Sequence, residues 1–130
     1  MAKAKKQPTP PPQPRVGQIV RDPLSGVWLI GRYHELPLRF YGDQLAAASS
    51  RADGVGVPGP RWTELYLWAT RTGKWVGANL GRSEAPGEVT LIETMQCPVG
   101  HLGDLLAFFG NGPLARLLYQ RAGVQAVEDV

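Results

Sequence analysis

Two soft metal ligands stand close together in Cys97-Pro-Val-Gly-His101, and Asp104 follows three residues later. A structural zinc site takes four protein ligands, commonly arranged as two knuckles. The chain has one cysteine and two histidines, the second being His34, so a fourth ligand would have to be a carboxylate. The missing second knuckle argues against a metal. The same residues admit a nucleophile: Cys97 precedes an expected helix start, where the helix dipole lowers a thiol pKa. His34 or His101 would then act as base, with Asp104 orienting the imidazole. A small buried thiol after a strand, followed by an ordinary first-turn acid, accounts for the same residues without catalysis. Cofactor motifs are also missing. No GxxxxGK[ST] or strand-linked GxGxxG occurs, and Gly54-Val-Gly-Val-Pro-Gly59 lacks the lysine and loses an N–H at Pro58. The expectation is no metal, no cofactor and, on balance, no enzyme.

Aromatic residues offer a different chemistry. Trp62, Tyr66, Trp68 and Trp75 cluster in one stretch with Arg61 and Arg71 beside them. Such a set stacks bases or sugars, or anchors a protein partner. Cross-strand packing within a sheet uses the same residue types. Leu65, Leu67 and Ala69 alternate with Glu64, Tyr66 and Trp68, a period of two. If the leucine face is core, the aromatic face needs a cover of its own: the helices, the N-terminal hairpin or another chain.

Towards the C-terminus, Leu102, Leu105, Leu106 and Phe109 follow the i, i+3, i+4, i+7 spacing of a helix with one apolar face. Gly110 ends that helix and Pro113 opens a second, whose buried face is Leu114, Leu117 and Leu118 and which stops at Gly123. Two helices about a glycine-containing turn resemble a helix-turn-helix. That resemblance implies DNA contacts from Arg116, Gln120 and Arg121, although Asn111 stands where an apolar turn residue usually packs inward. An αα-hairpin without DNA explains the same residues.

The elements that must position these groups read as follows. Val16 to Arg21 and Val27 to Tyr33 form a hairpin about Asp22-Pro-Leu-Ser-Gly26. Asp43 caps a short Ala-rich helix to about Ala52, and 53–60 is loop. Thr63 to Leu80 is a second hairpin about a two-residue Thr72-Gly73 loop, which sets Trp68 opposite Gly77. Glu88 to Met95 is a fifth strand. The expected fold is therefore α+β: a small antiparallel sheet of about five strands, two hairpins plus one strand, with a C-terminal helix pair packed on it.

Net charge divides the chain. Residues 1–15 carry Lys3, Lys5, Lys6 and Arg15 with no acid, in a proline-rich segment (Gln7-Pro-Thr-Pro-Pro-Pro-Gln-Pro14) expected to be disordered. Residues 16–130 hold ten basic and eleven acidic groups and form one globular domain near neutrality. No apolar run is long enough to span a bilayer, and the N-terminal lysines lead into prolines rather than the apolar core of a secretory signal. With a single cysteine the expected compartment is the cytoplasm. The functional expectation is a non-catalytic interaction protein, a small bacterial or mobile-element accessory or regulatory factor. It would bind a protein partner or itself, with weak nucleic-acid contact through the tail. A helix-turn-helix regulator and a cysteine-dependent enzyme are the alternatives.

Overall fold

The structure of the protein is a computed structural model that describes residues 13–127; Lys3, Lys5 and Lys6 of the basic tail lie outside the described residues. Six strands follow one another as an antiparallel meander: β1 (Ile19–Arg21), β2 (Val27–Ile30), β3 (Leu38–Ser49), β4 (Arg61–Thr70), β5 (Lys74–Ser83) and β6 (Leu91–Pro98). Two helices complete it, α1 (Leu102–Phe109) and α2 (Pro113–Ala122). The α+β class with helices on an antiparallel sheet is as expected, but there are six strands rather than five. The additional strand is β3.

The segment from Asp43 to Ala52, expected as a short helix on its alanine content, lies mostly in β3. Alanine favours helix only weakly, and a strand paired on both sides overrides that preference. β3 pairs with β2 through its first half (Ile30 with Leu38, Val27 with Tyr41) and with β4 through its second. Gln44 lies opposite Trp68 and Ala46 opposite Leu67, so Leu45 is the extra residue of a β-bulge. The bulge inverts which face even-numbered residues occupy. Before it, Phe40 faces the core that holds Trp68; beyond it, Ala46 and Ala48 face the helices. Small side chains there let α2 lie close across β3 and β4. Where β3 crosses from pairing with β2 to pairing with β4, Gly42 has no room for a side chain, because a Cβ would run into the carbonyl oxygen of Ala69.

Both faces of β4 and β5 are consequently buried. Leu65, Leu67, Trp75 and, on β6, Cys97 pack against Leu105 of α1 and Ala115, Leu118 and Tyr119 of α2. On the reverse face Trp68, Val76, Ala78 and Leu80 pack against Ile30 of β2 and Phe40 of β3. The N-terminal strands have folded back over this second face. Arg82 Nη2 donates to the carbonyl of Gly17 at 3.2 Å, and the Thr90 side chain abuts Gly17. Trp68 is 0% exposed, with Trp28, Phe40 and Tyr66 at ring-centroid distances of 5.5, 5.4 and 5.8 Å. Its cover is the N-terminal hairpin, and the helices take the leucine face.

The β4–β5 turn corrects the expected register by one residue. Trp68 pairs with Val76, and Leu67 with Gly77. The loop is three residues, Arg71-Thr72-Gly73, because Gly73 takes a left-handed conformation (φ 81°) and its N–H donates to the Thr70 carbonyl. Lys74 N–H is bound by Thr70 Oγ1 at 3.0 Å. Gly77 therefore sits on the helix side, where Phe109 of α1, not Trp68, covers the bare backbone: a Cβ there would meet its ring at 2.8 Å. The helix ends are those the sequence marks. Gly110 closes α1, Pro113 opens α2, and Gly123 caps α2 in the left-handed region with its N–H donated to Gln120 and Tyr119 carbonyls. Among the described residues no helix is long and apolar enough to cross a membrane.

Replacing Trp68 with alanine is expected to cost about 3–5 kcal/mol in urea unfolding, since it empties the centre of the second core. Gly42→Ala is expected to cost roughly 1–3 kcal/mol through backbone displacement at the β3 crossing. Trp68→Ala within 1 kcal/mol of the parent would contradict this packing.

Candidate functional site

Trp62, Glu64, Tyr66 and Trp68 occupy alternate positions of β4 and so share one face, with Arg82 of β5 directly opposite Trp62. Trp68 ends the row in the core. Toward the start of the strand the row becomes polar around Glu64. Its Oε1 accepts from Tyr66 Oη at 2.6 Å and pairs with Arg82 Nε at 2.8 Å, while Oε2 accepts from Trp62 Nε1 at 2.8 Å. Burial pushes the Glu64 carboxyl up, but the hydrogen bonds from Tyr66, Arg82 and Trp62 outweigh it and hold the group below its ordinary value. Burial, helped by the neighbouring carboxylate, raises the Tyr66 phenol to about 12.

Two members of this network, Trp62 and Arg82, face a recess of about 400 Å³ between the β3–β4 and β5–β6 loops. Arg61, Trp62 and Arg82 line it, and Val57, Val89 and Leu91 stand on its rim. Ion pairs hold the two loops in place. Arg51 binds Glu84 through two hydrogen bonds of 2.6 and 2.8 Å and lays its guanidinium 4.2 Å from the Trp62 ring centre. Arg61 binds Glu88, whose carboxyl falls to about 2 under that guanidinium and a hydrogen bond from Ser83. From α2, Arg121 clamps Asp53 at 2.7 and 3.0 Å and donates to the Ala47 carbonyl at 2.9 Å. Trp62 is thus fixed, half-buried, in a recess with an aliphatic rim and walls that also hold Ser50, Ser83 and Glu88.

The other residues of interest are distributed elsewhere. Trp75 faces the helices, across the sheet from Trp68 and Tyr66, so the four aromatics do not form one surface. Arg71 lies at the opposite end of β4 from Arg61, its guanidinium 5.4 Å from the Tyr41 ring centre. Cys97 is buried beneath the helices, where burial followed by the charge of Asp104 raises its thiol pKa. His101 and Asp104 are exposed, with Nδ1 and Oδ2 3.5 Å apart, and His34 lies in the exposed β2–β3 loop at a left-handed φ of 56°. Among the described residues no hydrogen bond or ion pair joins Cys97 to either histidine. No cluster of three metal-ligating side chains occurs there either. Arg116 and Gln120 project from the exposed face of α2, while Arg121 is taken up by Asp53. Arg15 is held to the fold by its main chain, which accepts from Gln18 N–H at 2.9 Å and donates to Gln18 Oε1 at 3.0 Å.

Sequence reasoning found Trp62 and Arg61 but missed Glu64, Arg82 and the rim. The period-two alternation placed Glu64 among the aromatics; the rim valines lie in loops with no periodic signal. No family model, curated protein or solved structure matches this chain.

Two solution measurements check this geometry. The stability that the Tyr66 phenol contributes is complete below pH 10 and is lost as pH rises towards about 12. Tyr66→Phe is therefore expected to flatten the fall in urea midpoint across that window; an unchanged slope would contradict it. Cys97 is expected to react slowly with iodoacetamide at neutral pH and rapidly once unfolded. Rapid labelling of the native protein, lost in His101→Ala, would restore the nucleophile reading.

Proposed function

We propose that this chain is a non-catalytic interaction domain that docks a protein partner at the Trp62 recess, with the basic tail adding electrostatic attachment. One observation carries the reading. Val57, Val89 and Leu91 are 92%, 71% and 68% exposed, and all three rim a recess whose arginines are ion-paired and whose tryptophan is held by Glu64 and Arg51. A half-buried tryptophan and arginine ringed by exposed aliphatic groups have the composition of an interface anchor. Fixing those side chains before binding lowers the ordering cost of association. Glu88 in the wall of the recess and Glu64 beside Trp62 are both engaged by arginines, which leaves neither carboxylate free for acid–base work. Less supports the alternatives: Arg121 is already bound to Asp53, and the Cys97 thiol lies inside the core.

The reading is tested by co-purification with a photo-crosslinking residue at Val57 and, as a comparison, at Gln120 on α2. A discrete adduct is expected at position 57 alone. Trp62→Ala is expected to weaken the captured complex by about 30-fold, equivalent to about 2 kcal/mol. Adducts from position 120 alone would move the interface to the helices, and no adduct at either would overturn the reading.

A further inference from the structure

Among the ten basic side chains of residues 16–130, the structure separates two groups. Arg32, Arg51, Arg61, Arg82 and Arg121 each sit on a carboxylate. Arg21, Arg39, Arg71, Lys74 and Arg116 make no ion pair among the described residues, and three of them, Arg39, Arg71 and Lys74, line a single cleft of about 380 Å³ that has no Asp or Glu in its walls. The cleft lies at the opposite end of β4 and β5 from the Trp62 recess. Arg39 and Tyr41 come from β3, Arg71 from the β4–β5 turn, and Lys74 from the start of β5. The turn is rigidly tied to β3: Arg71 N–H donates to the Tyr41 carbonyl at 3.0 Å. Phe40 and Val76, at the mouth of the second core, give the cleft an apolar floor, and Tyr41 is 48% exposed at its side.

A second feature points the same way. Arg39 and Tyr41 also line an adjoining groove of about 670 Å³ whose far end is Gln13 and Pro14. Its one carboxylate, Asp22, is bound by Ser25 Oγ and Leu24 N–H. The chain therefore enters the described fold within this groove, next to Arg15, and the segment upstream carries Lys3, Lys5 and Lys6.

We infer that this cleft and groove bind single-stranded nucleic acid. An unpaired base stacks on the exposed Tyr41 ring at the edge of β3, and Arg39, Arg71 and Lys74 take the flanking phosphates. Duplex keeps its base faces inside the stack, so Tyr41 would have nothing to stack on. An acidic peptide satisfies the cations but brings no flat ring to Tyr41. This site is separate from the Trp62 recess and stands or falls without it.

Fluorescence anisotropy of the full chain with a labelled oligothymidylate of about 20 nucleotides, titrated with salt, tests the inference. The Arg39→Gln, Arg71→Gln, Lys74→Gln triple variant is expected to bind at least about tenfold more weakly, with the log–log salt slope reduced by about 2, at ~0.7 per phosphate contact. Tyr41→Ala is expected to lose at least about fivefold through stacking. All of these side chains are exposed or at a rim, so thermal midpoints within about 2 °C of the parent are the folding control. Arg116→Gln, on α2, should bind like the parent. Four results would overturn the inference: no binding at low salt, parental binding by the triple variant, an equal loss in Arg116→Gln, or displacement of the probe by duplex or polyglutamate better than by unlabelled single strand.

Discussion

The whole architecture depends on burying both faces of one hairpin. β4 and β5 carry leucine, tryptophan, valine and alanine on both sides, and neither face can be left to water. The helices cover one side and the N-terminal strands the other. Three irregular features of the chain serve that double cover. The bulge at Leu45 lets one strand supply both layers, Gly42 permits the crossing, and Gly77 admits Phe109. The recess and the cleft lie at the hairpin's two ends.

Those openings differ in electrostatic character for a reason that net charge hides. At the Trp62 end, arginines and acids from different loops pair off, and their main work is to fix loop geometry; exposed pairs of this kind add little to stability. At the turn end the cations have no such partners among the described residues. A domain that sums to near neutrality therefore presents one neutralised end and one positive end. Pairing, not total charge, sets the local field that an approaching ligand meets.

Local signals made much of the fold legible in the sequence. The helix limits at Gly110, Pro113 and Gly123 and the alternation of β4 are backbone constraints visible residue by residue. β3 was not legible. Its alanines serve the close approach of α2, an element about 70 residues further along the chain, and its bulge breaks the period that would have revealed a strand. Misreading β3 also hid the Arg39–Tyr41 pair, since two residues on one strand face have no relation in a broken loop. Trp62 was legible because aromatic alternation is a local pattern; its valine rim became a site only through loop positions that ion pairs fix.

The bulged strand has a further consequence for how the molecule comes apart. β3 contributes Phe40 to one core and Ala46 and Ala48 to the other, so neither layer can be peeled away with its own set of strands. Loosening the N-terminal half drags at the helix-bearing half through continuous main chain. Partial opening is thereby confined to the edges, β1, β6 and the helix termini, and the two cores should exchange amide hydrogens as one cooperative unit.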